Sequence, residues 1–174
     1  MKTILRQDQH KMGLFEECDT EITETRRASR GVVRNPMSQI AVMYFTTTGS
    51  YKLPGGGIEK GENTLDAFVR EIREETGYLV KDTKEIGIVD EIRYFCGLHQ
   101  ISYCYEAVAT DFVGTELTPG EQREGMELRW AKDSNQAIQW IQSSTTVVLP
   151  GETRAGLEMM KAREVRILEV AMRD

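Results

Sequence analysis

No segment of the chain approaches the roughly 20 consecutive apolar residues of a membrane-spanning helix. Met1 to Leu14 holds no apolar run of signal-peptide length, so a cytoplasmic location is the expectation. Cysteine is scarce. Cys18, Cys96 and Cys104 are an odd number with no Cys-x-x-Cys spacing, which argues against a disulfide framework or a zinc site and for a reducing compartment. Cys96 and Cys104 read best as buried thiols. Basic residues are also in deficit, 22 against 28 acidic ones, for a net charge of −6. That balance disfavours an extended nucleic-acid or anionic-membrane surface, because both need a basic face. It leaves room for a small phosphorylated ligand, since a divalent ion can reverse the local field.

What is present is an ordinary globular chain. Its 174 residues, 40% hydrophobic and 29% charged, fit one domain able to bury a core unaided. No internal repeat or low-complexity tract interrupts it. Residues 1–28 are polar and mixed in charge, with short strand signals at Ile4-Leu5 and Glu21–Thr23, and read as an N-terminal appendage or edge hairpin. Residues 29–174 read as a single domain with a C-terminal helix. Gln39 to Phe45 is apolar on both faces, as a doubly covered strand should be. Tyr51–Leu53 is a short strand running into Pro54-Gly55-Gly56-Gly57. Asn63 or Thr64 caps a helix that Gly77 ends.

Three strand-like stretches follow (Glu85–Val89, Glu91–Phe95 and Gln100–Ala109), then a loop from Gly114 to Gly125 and a strand from Met126 to Ala131. Asp133 or Ser134 caps a helix through Ile141, and a loop ending in Pro150-Gly151 leads to a helix over about Thr153–Met172. The order of elements predicts an α/β fold, a mixed sheet between helices.

One stretch concentrates the chemistry, LPGGGIEKGENTLDAFVREIREETGY from Leu53 to Tyr78. At 100° per residue, Leu65, Phe68, Val69 and Ile72 share an apolar sector. Glu71, Glu74 and Glu75, at i, i+3 and i+4, share another. Like charges at that spacing destabilise a bare helix. At about 4 Å each pair would cost on the order of 4 kcal/mol at an effective dielectric of 20. Mg²⁺ or Mn²⁺, hard ions that prefer oxygen ligands, would remove that penalty. A solvated, salt-bridged helix is the competing reading, with Arg70 and Glu74 correctly spaced for a pair. It leaves unexplained the three glycines, which let backbone approach a ligand closely. No G-K-[ST] follows them, and the spacing is not that of a dinucleotide fingerprint.

The stretch resembles the Nudix box, G-x5-E-x7-R-E-U-x-E-E-x-G-U, of the MutT-like pyrophosphohydrolases. Gly56, Glu62, Arg70, Glu71, Ile72, Glu74, Glu75 and Gly77 fill it at the correct spacings. Tyr78 stands at a packing position where the family has an aliphatic residue. The resemblance implies a Nudix-like α/β/α sandwich and hydrolysis of a diphosphate linkage in a nucleoside triphosphate, an oxidised one, or a nucleotide sugar. It implies Mg²⁺ or Mn²⁺ on Glu71, Glu74, Glu75 and the Gly55 carbonyl. Arg70 would orient the glutamates, and Glu62 would brace the loop or reach a metal through water. The general base is Glu71 or a loop glutamate, Glu124 before Glu121 and Glu127. An RNA 5′-end hydrolase and a non-catalytic nucleotide sensor are the alternatives, and a homodimer is possible.

Other polar and aromatic residues have plainer readings. His10 and His99 read as solvated. Tyr51, Tyr103, Tyr105 and Trp130 read as core aromatics rather than base-stacking ones. Arg163 and Arg166 on the C-terminal helix read as a solvated face, with phosphate contact as the rival.

Overall fold

Alternation along three neighbouring strands builds a two-sided sheet in the computed structural model, which describes residues 1–145 and 153–173. The strands are β1 (Thr3–Asp8), β2 (Glu24–Arg34), β3 (Ile40–Phe45), β4 (Ser50–Lys52), β5 (Gly55–Gly57), β6 (Tyr78–Arg93), β7 (Leu98–Phe112) and β8 (Met126–Ala131). The helices are α1 (Thr64–Thr76), α2 (Pro119–Arg123), α3 (Ser134–Ser143) and α4 (Arg154–Ala171). The sheet runs β1-β6-β7-β2-β3-β4, with β5 also on β2 and β8 also on β3. β1/β6 and β2/β7 are parallel pairs; the other pairs are antiparallel.

Side chains two apart point the same way on a strand. Val32, Ile40, Val42 and Cys104 therefore pack with Ile141 of α3 and Ile167 and Leu168 of α4. Their neighbours Val33, Ala41 and Tyr105 pack on the opposite face with Phe68 and Ile72 of α1. The result is the expected α/β/α sandwich. Burying Phe68 and Ile72 completely contributes about 1.5–3 kcal/mol each.

Several boundaries differ from the expectation. β2 starts at Glu24, because its first residues pair with Leu98 and beyond on β7. Glu21–Thr23 forms no strand, and β1 adds to the sheet edge through β6 instead of forming a hairpin. Glu85–Val89 and Glu91–Phe95 are not two strands: β6 runs unbroken to Arg93. Its register shifts between Lys81 and Lys84, where Asp82 takes φ 53°, and such a bulge hides a continuous strand behind a polar gap. The Gly114–Gly125 loop contains α2, started by a Thr118–Glu121 capping box. Cys96 is exposed rather than buried, in a 3₁₀ turn (Tyr94–Cys96) before β7. His99 is partly covered and pairs with Asp90 at 2.8 Å, and His10 stacks on Tyr94. The turn expected at Pro150-Gly151 lies outside the described residues. Among those residues no helix is long and apolar enough to cross a membrane.

Candidate active site

Asn63 caps α1 through its side chain, and Gly77 ends the helix in the left-handed region. Between these caps the helix lies on the sheet with Phe68 and Ile72 fully buried, while Leu65 and Val69 stay 36% exposed. The apolar sector is therefore narrower than the sequence predicts. Glu71 and Glu75 share the inward half of the helix and are themselves buried. Two carboxylates packed on a core face are an expensive arrangement, which a purely structural helix would avoid.

The three-glycine strand β5 pairs with β2 and brings Gly55 and Gly56 against those carboxylates. Gly55 N–H donates to Glu75 Oε2 at 2.7 Å; this is an amide contact where a carbonyl role was expected. A Cβ on Gly56 would lie 2.5 Å from Glu71 Oε2, so any larger residue there would push that carboxylate aside. Gly55 has φ 135°, a backbone region that disfavours any side chain.

Arg70 is the hub. Its Nε and Nη2 each donate to one oxygen of Glu62 at 2.9 Å, Nη2 also to the Gly57 carbonyl, and Nη1 to Glu71 Oε1 at 2.9 Å and Glu74 Oε2 at 3.1 Å. This fork fixes both glutamates and ties the loop to the helix. Arg70 thus contacts both glutamates, and Glu62 connects the loop to the helix through it. Contact with Arg70 holds the Glu62 carboxyl below its usual range, against a smaller effect of burial.

Electrostatics set the two buried glutamates apart. Burial raises the Glu71 pKa, opposed by Arg70 and reinforced by Glu74 and Glu121. Burial pushes Glu75 up to about 8; the Gly55 amide and Arg30 oppose it, and Glu71 and Glu121 add to it. Among the described residues no three His, Cys, Asp or Glu side chains converge into a ready cage; Arg70 occupies Glu71 and Glu74. The donor set nevertheless suits a hard divalent ion: clustered carboxylates, two of them buried.

A cavity of about 460 Å³ opens from Gly55, Gly56 and Glu75. Glu121 and Glu124 line it, whereas Glu127 does not and pairs with Arg129 at 3.5 Å. Glu121, ranked below Glu124 in the sequence, is the loop glutamate that both Glu71 and Glu75 feel. The aromatic lining is Phe45 and Phe95 rather than Tyr51, Tyr103, Tyr105 or Trp130.

The sequence missed the arginine wall, Arg30, Arg93 and Arg163, which lines the same cavity. Arg163 is 4% exposed, so the solvated-face reading fails for it: Glu91 and Glu164 bury it by ion pairing. The available signal was parity. Arg30 sits between Ala28 and Val32, and Glu91 follows Val89 by two residues, on strand faces that are otherwise apolar.

Comparison with known proteins bears on the whole arrangement. The model of the NUDIX domain matches residues 24–141. An ADP-ribose pyrophosphatase of Methanocaldococcus jannaschii is 35% identical over 79 residues, 45% of this chain and 45% of the relative. A putative 8-oxo-dGTP diphosphatase of Bacillus subtilis is 35% identical over 63 residues, 36% of this chain and 42% of the relative. The chain thus aligns with less than half the length of either curated relative. A MutT NUDIX hydrolase from Burkholderia pseudomallei superposes with a TM-score of 0.54 at 20% identity, covering 82% of this chain and 99% of that one. At that identity the likeness is one of fold.

Proposed function

The chain belongs to the NUDIX domain family, and on that premise we propose that it is a divalent-metal-dependent hydrolase of diphosphate linkages in small nucleoside-diphosphate-linked substrates. The observation that carries this reading is the burial of Glu71 and Glu75 against a glycine strand, with Glu75 and the glycines on the wall of a substrate-sized cavity. The volume fits a nucleotide better than a macromolecule. The relatives' names, one for ADP-ribose and one for 8-oxo-dGTP, bracket the substrate class.

Glu71, Glu74 and Glu75 would hold Mg²⁺ or Mn²⁺. The ion supplies positive charge for the diphosphate oxygens and lowers the pKa of water at the site. Arg70 keeps Glu71 and Glu74 in place. Gly56 lets the backbone pass close beside the Glu71 carboxylate, and the Gly55 N–H holds Glu75. Glu71 accepts the proton of the attacking water, placed for it by the packed helix. A new P–O bond forms to that water as the anhydride P–O bond breaks, giving X-phosphate and a second phosphate product. Glu124, exposed and next to Gly125, lies on a loop suited to closing over the substrate.

The test is a panel of nucleoside triphosphates, 8-oxo-dGTP and ADP-ribose with Mg²⁺ or Mn²⁺, products resolved chromatographically. Turnover of at least one member to a monophosphate product is expected. Binding without turnover across the panel would favour a nucleotide sensor instead.

A further inference from the structure

We propose that Arg30 and Arg93 form an anion subsite at the α4 end of the cavity, which takes a phosphoryl group of the substrate beyond the two that are separated. Substrates with a third phosphoryl group, such as nucleoside triphosphates, are then preferred to those with a bare diphosphate, such as ADP-ribose. The proposal deepens the reading above and rests on it.

Three observations combine. The first is charge. Arg30 donates to Glu164 at 3.1 Å, Arg163 to Glu164 at 2.6 Å and to Glu91 at 3.1 Å, and Arg93 to Glu91 at 2.6 Å. Within this network three guanidiniums share two carboxylates, and Glu75 is the further acidic group that Arg30 acts on. Glu91 and Glu164 are fully buried, and Arg30 is 8% exposed. A network serving stability alone would match its charges, because uncompensated buried charge is costly. Burial also draws the Arg30 and Arg93 guanidiniums below their usual pKa, so each gains from an added anion.

The second observation is hydrogen bonding. Arg30 Nε and Arg93 Nε are buried donors with no partner among the described residues. Gln7 Oε1 and Glu164 Oε2 also lack partners, but neither residue is on the cavity wall, whereas both arginines are.

The third is position. Register pairs Arg30 with Gly55, which places Arg30 beside the glycine strand, and Arg93 and Arg163 line the same cavity. Arg163 holds both carboxylates and is a positioning residue. It comes from α4, outside the residues 24–141 that define the family match. The subsite is thus supplied partly by a helix outside the matched residues, and substrate discrimination on a shared fold resides in the site rather than in the fold.

The test compares ADP with ATP, and dGDP with dGTP, pairs that differ by one phosphoryl group. Wild type should show kcat/KM at least about tenfold higher on the triphosphate, the effect of one strong charge-assisted contact. Arg93→Gln should erase most of that preference, the larger loss falling on the triphosphate, and Arg93→Lys should retain part of it. Equal losses on both members, or no preference in wild type, would overturn the proposal. A purely structural role would lower the melting temperature and damage both members alike. Should Arg93→Gln not fold, Arg93→Lys is read instead, with a triphosphate preference below that of wild type expected and an unchanged preference overturning the proposal.

Calorimetric titration of inorganic tripolyphosphate and pyrophosphate into the protein in EDTA gives a readout free of turnover. Tighter tripolyphosphate binding that Arg93→Gln abolishes supports the subsite even if no nucleotide is hydrolysed, an outcome that would defeat only the proposed activity. Tripolyphosphate binding unchanged in Arg93→Gln overturns the subsite.

Discussion

Glu75→Gln should stabilise the protein in EDTA, and only at high pH. The folded-state pKa of Glu75 is raised from 4.5 to about 8. Below pH 4.5 the carboxyl is protonated in both folded and unfolded chains and contributes no difference. Between pH 4.5 and 8 the unfolded chain releases the proton while the folded one keeps it, so stability falls as pH rises. Above 8 the penalty is complete. At 1.36 kcal/mol per pH unit, the interval from 4.5 to 8 corresponds to about 5 kcal/mol, an upper limit that relaxation and water entry reduce to about 2–5.

Glutamine has nearly the same shape, keeps an oxygen to accept from Gly55 N–H, and carries no charge to desolvate. For a chain of this length each kcal/mol moves Tm by about 2–4 °C, so Glu75→Gln should gain about 5–15 °C at pH 9. Thermal denaturation at pH 5, 7 and 9, with and without excess Mg²⁺, measures this directly. The gain should shrink to about 2 °C or less at pH 5, and Mg²⁺ should reverse the ranking by stabilising wild type alone. A gain independent of pH, or a loss at pH 9, would refute the assignment of Glu75 as a buried, uncompensated carboxyl.

Gly56→Ala should fold yet lose at least about tenfold in kcat, because its Cβ would force Glu71 out of place; circular dichroism and initial rates separate the two effects. The base assignment is tested by pH–rate profiles. Glu71→Gln should depress kcat strongly near neutral pH and flatten the acidic limb, whereas Glu124→Gln should chiefly raise KM. Loss of the acidic limb in Glu124→Gln alone would move the base to the loop.

Local signals were legible and long-range pairing was not. Asn63 and Gly77 cap α1 as read, because caps depend on neighbours within a turn. The Nudix-like spacing from Gly56 to Gly77 likewise located the Arg70 fork, since one loop and one helix contain all of it. Glu121 was undervalued because its influence on Glu71 depends on how the loop carrying α2 docks on α1, where Glu116 N–H donates to the Glu74 carbonyl. Arg163 was misread because helical periodicity identifies a face without showing what covers it. Its partner Glu164 is its neighbour on the helix, but Glu91 becomes a partner only once α4 lies across β6. Buried ion pairs of this kind oppose the ordinary rule that charge lies outside, so hydrophobic pattern alone assigns them to solvent.

Removal and return of the metal tests the central claim most directly. Wild-type protein, with its best substrate from the panel, is assayed in EDTA, then with Mg²⁺ or Mn²⁺ restored, alongside Glu75→Gln and Glu74→Gln. The glutamates cannot hold a polyanion unaided, so wild-type turnover should vanish in EDTA and return with the ion. Both variants should stay several orders of magnitude slower at saturating metal while remaining folded. Full turnover in EDTA by protein shown to be free of metal, or near-normal kcat in both variants, would contradict the account.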